Sequence, residues 1–272
     1  MKTRIISGAV GIAILAVLLW LHSTIVFNIA LALVSALMFY ELARAEKLEK
    51  EYALLISGAV FTASCPVLAR FFEDRDLSGL YIVIAFAYIV ICQTVLLVRH
   101  RHIEFGRFFI TEAYSLLIAL SMTSLALLAK PDGTVGLLRP IYACMGAWVA
   151  DSGAYFAGTF FGKHKLCPEI SPKKTVEGLA GGMLANAVVF ALIPVVLSDR
   201  DMPLYVGCIV FAAIGVICCL LGLLGDLTAS LIKRDAGIKD YGNIMPGHGG
   251  AMDRFDSLIF IAPFLLFVVG GV

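Results

Sequence analysis

Residues 204–256 read LYVGCIVFAAIGVICCLLGLLGDLTASLIKRDAGIKDYGNIMPGHGGAMDRFD, and the fold turns on how this stretch divides. Residues 204–232 are one apolar run with a single charge inside it, Asp226. A bilayer crossing needs about 20 such residues, so the run is long enough to span a membrane and to project beyond it. Gly222 and Gly225 predict either a bend in this helix or an amphipathic extension of its last turns. From Lys233 the character reverses. Lys233, Arg234, Lys239 and Arg254 alternate with Asp235, Asp240, Asp253 and Asp256 around a glycine-rich turn, and a second apolar run begins at 255. Charge is costly beside a bilayer, so a polar island of this density between two spans points to a site that grips a polyanion, with a metal ion to help.

The rest of the chain agrees with the first half of that reading. Of the residues, 60% are hydrophobic and 15% charged, against about 25% charged in ordinary soluble domains. Apolar segments are expected near 5–21, 24–43, 52–72, 77–98, 107–129, 135–161, 178–197, 204–232 and 255–271. They predict an all-α polytopic membrane protein with about nine transmembrane helices. A β-barrel would show short alternating segments instead. No repeat or linker divides the chain. It reads as a single membrane domain, 1–272, with N-terminal transmembrane helices over 1–134 and a catalytic region over 135–272. The apolar run after MKTR is expected to be a first retained helix, because no small-residue cleavage site precedes a soluble domain. A net charge of +1 gives no nucleic-acid signal, and seven cysteines scattered through apolar runs predict small buried hydrophobes rather than disulfides or a zinc site.

Sixteen of the 21 Lys and Arg residues fall on one side of a nine-span arrangement. The positive-inside bias then puts the N-terminus, the 162–177 loop and the polar 230–256 stretch in the cytoplasm of a cytoplasmic (inner) membrane protein.

Three groups of residues carry candidate chemistry. Asp226, Ser230 and Lys233, at i, i+4 and i+7, share a helix face, and Asp253 and Asp256, at i and i+3, share another. Carboxylates on two helices suit Mg²⁺, which takes one or two of them plus substrate phosphates. A second ion would clamp attacking and leaving oxygens. The plainer role for Asp253 and Asp256 is to cap a helix N-terminus; Asp226, deep in an apolar run, has no such alternative. The turn Gly247-His248-Gly249-Gly250 lets backbone N–H groups approach phosphate, with three roles open to His248: donating to phosphate, stacking on a base, or fixing the loop. The run Ser171-Pro172-Lys173-Lys174-Thr175 suits phosphate as well, or simply anionic headgroups, and Asp151 with Tyr155 lies one turn apart on the preceding span.

With those residues in place, the chain resembles the CDP-diacylglycerol synthases, or phosphatidate cytidylyltransferases. Ser230, Lys233-Arg234, Lys239-Asp240, Gly242, Pro246, His248-Gly249-Gly250, Asp253-Arg254 and Asp256 fall at that family's spacing, and Asp151, Tyr155 and Ser171–Gly178 are similar to its second motif. Met245 and Ala251 depart from it, standing where the family usually has a larger apolar residue. The resemblance implies transfer of a cytidylyl group from CTP to phosphatidate, giving CDP-diacylglycerol and pyrophosphate. On that expectation Asp226 and Asp253 are the principal Mg²⁺ ligands with Asp256 assisting. Lys233, Arg254, Arg234, Lys239, Lys173 and Lys174 divide the phosphates, while Ser171, Ser230 and the Gly249-Gly250 backbone complete the cradle. The substrate-binding set also includes Asp151, Tyr155, Asp240 and His248. A second cation such as K⁺, contact with membrane lipids and a homodimer are open expectations. The competing readings are another CTP-dependent membrane lipid transferase or lipid kinase, the kinase releasing CDP, and an ion-coupled transporter.

Overall fold

The computed structural model describes residues 2–71, 78–129, 133–197, 203–244, 247 and 249–269. Helices fill the apolar runs: α1 (Lys2–Trp20), α2 (Ile25–Ala45), α3 (Tyr52–Phe71), α4 (Ser78–Arg99), α5 (Phe105–Leu128), α6 (Thr134–Phe161), α7 (Val176–Ala191), the short α8 (Ile193–Leu197), α9 (Leu204–Asp235), α10 (Met252–Phe255) and α11 (Leu258–Val269). Among the described residues six helices are long and apolar enough to cross a membrane: α2, α3, α4, α5, α7 continued through α8, and α9. α1 and α11 contribute shorter apolar helices, Gly8–Trp20 and Leu258–Val269. The protein is therefore an all-α, polytopic membrane protein in its main architecture. One feature lay outside the helical expectation: β1 (Lys165–Cys167) and β2 (Ser171–Thr175) pair antiparallel within the 162–177 loop.

The chain forms two compact units, Met1–Ile141 with Lys233–Phe255 and Leu265–Val272, and Tyr142–Ile232 with Asp256–Phe264. The first is built on α2, α3 and α5. Met38, Phe39, Leu42, Phe108, Ile118 and Met122 are fully buried there. Gly58 lets α3 close on α2, since a Cβ at that position would collide with the Phe39 ring. Phe61 of α3 stacks on Tyr88 of α4 with ring centroids 4.3 Å apart. Several polar groups in this interior are matched to one another, as a water-free environment favours. Gln93 Nε2 donates to both oxygens of Glu112 at 3.0 and 2.9 Å, and Ser115 Oγ donates to the Tyr88 hydroxyl at 2.8 Å.

The second unit packs through small residues. A Cβ on Gly153 would lie 3.0 Å from the Gly181 carbonyl oxygen, one on Gly178 2.9 Å from that of Ala154, and one on Gly182 2.8 Å from that of Ala150. These glycines bring α6 and α7 into backbone contact, the usual way for membrane helices to gain packing energy without a hydrophobic driving force. Asn186 of α7 then donates to the Gly146 oxygen of α6 at 2.8 Å and the Gly215 oxygen of α9 at 3.1 Å, joining three helices. α9 is a single helix of 32 residues, about 48 Å at 1.5 Å per residue, so it outreaches a hydrocarbon core of about 30 Å. Gly222 and Gly225 allow close approach: a Cβ at Gly222 would meet Ile261 at 3.1 Å, and one at Gly225 would collide with the Asp256 carbonyl. All seven cysteines are free thiols and five are buried.

Candidate active site

In the second unit, α6 ends at Phe161 and the chain turns through the β1–β2 hairpin into α7. Lys165 pairs with Thr175 and Cys167 with Ser171, with a bulge between. The hairpin is closed at its base. Thr175 caps α7 by accepting the Gly178 amide at 3.0 Å, and Glu177 accepts the amides of Lys163 (3.0 Å) and His164 (3.2 Å) while contacting His164 Nδ1 at 2.6 Å. An acid in the first turn of α7 is also favoured by the helix dipole. This anchoring places Lys173, exposed, and Lys174, half-buried, along a cavity of about 340 Å³. Asp151, Tyr155 and Thr159 of α6 line it, with Gly178 and Leu179 of α7, Gly222 and Leu223 of α9, and Ser257. Its walls are mostly alanine, glycine and leucine, and its charged lining residues are Asp151 and the two lysines. An apolar cavity with a few convergent charges is the expected form of a small-ligand site.

Lys174 forms an ion pair with Asp226 of α9. Both side chains keep about a quarter of their surface exposed, 24% and 29%. Ser230, one turn further, is buried. Asp256 precedes α11, is buried, and accepts the Ser257 amide at 2.7 Å and its hydroxyl at 3.4 Å.

In the first unit, the segment after α9 folds around Asp253. Its side chain is 3% exposed; Oδ1 accepts Lys233 Nζ at 2.7 Å, and Oδ2 accepts the amides of Tyr241 at 2.8 Å and Gly250 at 2.9 Å. Lys233 also lies 5.5 Å from the centroid of the Tyr241 ring, within cation–π range. Gly249 has a φ of +92°, and a Cβ there would sit 2.9 Å from Asp253 Oδ2, so the turn accepts no side chain at this point. Arg234, Lys239, Asp240 and Arg254 are exposed. His248 lies outside the described residues.

Asp226, Asp253 and Asp256, expected as Mg²⁺ ligands, thus sit in three different settings. Among the described residues no group of three His, Cys, Asp or Glu side chains is arranged to hold a metal ion. A carboxylate offers about four lone-pair positions. Asp226 pairs with Lys174 and keeps an accessible surface, which fits a ligand. Asp253 spends three positions on Lys233 and two amides.

One participant was missed. Glu41 of α2 is 3% exposed and accepts the amides of Ala251 at 3.1 Å and Met252 at 2.9 Å. The signal was available: Glu41 is a carboxylate inside a span, the same feature that singled out Asp226.

The sequence matches the model of the Cytidylyltransferase family over residues 2–271. It is 36% identical to a phosphatidate cytidylyltransferase of Bacillus subtilis over 271 residues, covering 99% of this chain and 97% of that protein. Phosphatidate cytidylyltransferases of Staphylococcus saprophyticus and Staphylococcus aureus are 36% and 37% identical over 177 and 183 residues, covering 65% and 67% of this chain and 66% of each relative. A match from residue 2 to residue 271, with more than a third of positions identical along nearly the whole Bacillus protein, places the chain in the cytidylyltransferase family.

Proposed function

We propose that the protein is a membrane nucleotidyltransferase that moves the cytidylyl group of CTP onto phosphatidate, giving CDP-diacylglycerol and pyrophosphate. The near-full-length kinship with a protein named phosphatidate cytidylyltransferase carries this reading. A phosphate oxygen of phosphatidate attacks the CTP α-phosphorus, the bond from that phosphorus to the bridging oxygen breaks, and pyrophosphate leaves. The attacking phosphomonoester has a second pKa near 6 and is largely ionised at neutral pH, so the site needs no strong general base. What it needs is to hold two polyanions in line and stabilise charge on the leaving group.

Lys173, Lys174, Lys233, Arg234, Lys239 and Arg254 are the cations proposed for that work, with Ser171, Ser230 and the 249–250 backbone as further donors. Asp226 is the best-exposed proposed ligand for Mg²⁺, with Asp253 and Asp256 contributing on the grounds of their spacing and hard-oxygen chemistry. When bound, the ion supplies charge neutralisation at the phosphates; a second cation such as K⁺ belongs to the same proposal. Nine crossings, a cytoplasmic-facing site, a cytoplasmic (inner) membrane location, contact with membrane lipids, a single functional domain with catalysis in 135–272, and a homodimer complete it. The sequence distribution of Lys and Arg supports the orientation.

The test is to incubate purified protein with phosphatidate and each nucleoside triphosphate, then identify the lipid product by mass and follow pyrophosphate. CDP-diacylglycerol with pyrophosphate release is expected with CTP. A phosphorylated lipid with CDP as co-product would make the protein a lipid kinase, and nucleotide-independent ion flux without a lipid product would make it a transporter.

A further inference from the structure

The loop carrying Gly249, Gly250 and Asp253 is gripped by a carboxylate more than two hundred residues earlier in the chain. We propose that Glu41 is a positioning residue for cytidylyl transfer: through the Ala251 and Met252 amides it fixes the loop whose 249–254 stretch faces the substrate phosphates. The inference rests on the function proposed above and adds a residue from the N-terminal half to it.

Four observations converge. Glu41 is 3% exposed, and a buried carboxylate is unfavourable unless hydrogen-bonded, so its presence answers a specific demand. Its two oxygens take one amide each, Oε1 from Ala251 and Oε2 from Met252. Two glycines are shaped to it: a Cβ on Gly242 or on Gly250 would collide with the Glu41 carboxylate. Asp253 takes the neighbouring amides, Tyr241 and Gly250, so two carboxylates bind three consecutive amides, Gly250, Ala251 and Met252, from opposite ends. Lys233 neutralises Asp253, and Arg44 is the cation that acts electrostatically on Glu41.

Such a double grip fixes the backbone of the loop at three consecutive amides. A displacement of about 1 Å at a reacting group can cost about a hundredfold in rate even when the change lies away from the chemistry.

The test uses the full-length protein in mixed micelles, with Glu41→Gln, Glu41→Ala, Gly250→Ala and the Glu41→Ala/Gly250→Ala pair. CTP and phosphatidate are varied separately, and hydrogen exchange is followed in the 241–255 peptide. Glu41→Gln is expected to lower kcat about tenfold and Glu41→Ala about a hundredfold, with apparent KM for each substrate within about threefold of the parent. Exchange across 241–255 should quicken in both. Gly250→Ala should lower kcat about tenfold alone and by less than about threefold in the Glu41→Ala background, because the obstructing carboxylate is gone. A general packing role would produce neither the kcat–KM split nor this non-additivity. If Glu41→Ala does not purify, Glu41→Gln carries the kinetic and exchange arms. A kcat within about twofold of the parent in Glu41→Gln overturns the proposal, whether or not exchange changes. A parent that makes no CDP-diacylglycerol refutes the proposed function instead, and the exchange arm still decides whether Glu41 grips the loop.

Discussion

Asp226 and Asp253 each face a lysine, yet the two pairs are built to different ends. Lys174 and Asp226 keep 24% and 29% of their side chains exposed, beside a cavity, and bridge a hairpin to a helix. Lys233 and Asp253 keep 10% and 3%, and Asp253 accepts two backbone amides besides. An exposed pair is worth little energetically and exchanges partners readily. A buried pair whose carboxylate also holds two backbone amides is costly to break from one side, because the survivor is left charged and unmatched. The first arrangement leaves its charges open to a ligand; the second shapes the loop that carries Gly249, Gly250 and Arg254.

Asp253→Asn tests the buried side of this comparison and has the largest expected effect. It removes the charge facing Lys233 and turns one acceptor into a donor, so stability should fall by about 3–5 kcal/mol, the scale of halving a buried pair. Turnover should fall at least about a hundredfold. Thermal unfolding in detergent and steady-state kinetics measure both, and an unshifted unfolding midpoint would erase the distinction between the pairs. Asp226→Asn should lose a similar amount of turnover, about two orders of magnitude or roughly 2.7 kcal/mol, while the unfolding midpoint hardly moves. Near-full activity in that folded variant would remove Asp226 from the proposed metal site.

Lys174→Ala should be milder. It should raise the apparent KM for a phosphate-bearing substrate as well as lower kcat, with Lys174→Arg intermediate because a planar fork replaces a compact ammonium. Unchanged constants for CTP and phosphatidate alike would leave the hairpin lysines with headgroup contact alone.

Glu46, in the α2–α3 turn, sharpens the comparison from the other direction, as a buried carboxylate that no lysine faces. Its oxygens are buried without hydrogen-bond partners. Burial raises its pKa, opposed by Arg107 and reinforced by Asp235 and Glu104. The folded state therefore holds the Glu46 proton to higher pH than the unfolded chain does. Stability from this group is full below the ordinary glutamate range and declines as pH rises through its elevated value. Glu46→Gln should flatten that decline, a small effect visible as a higher unfolding midpoint at mildly alkaline than at mildly acidic pH relative to the parent. A parallel pH profile in both proteins would remove Glu46 as its source.

Long apolar runs made the helices legible, since few other structures satisfy twenty uninterrupted residues of that kind in a bilayer. The polar residues of 171–174 and 230–256 stood out as candidate site residues for the same reason in reverse. The different partners of Asp226 and Asp253 were not legible, because spacing reports which face a carboxylate occupies and says nothing of which amides arrive there from twelve residues away. The β1–β2 hairpin was hidden by its composition: Lys165–Cys167 and Ser171–Thr175 lack the alternation that marks a strand, and Pro172 argues against one away from an edge. Glu41 stood out only as a carboxylate within a span; its partners are backbone groups in a distant segment, a pairing no local pattern encodes.

The glycine seam between α6 and α7 also bears on lipid traffic. Where Gly153, Gly178 and Gly182 bring the two backbones together, the gap is narrower than a methylene chain. No acyl tail passes between these helices along residues 150–158 and 178–185, so the seam is a closed wall of the cavity that holds Lys173 and Lys174. A diacyl substrate drawn from the bilayer has to thread through another side. Alanine placed at Gly182 would set a methyl 2.8 Å from the Ala150 carbonyl oxygen and force that wall to shift.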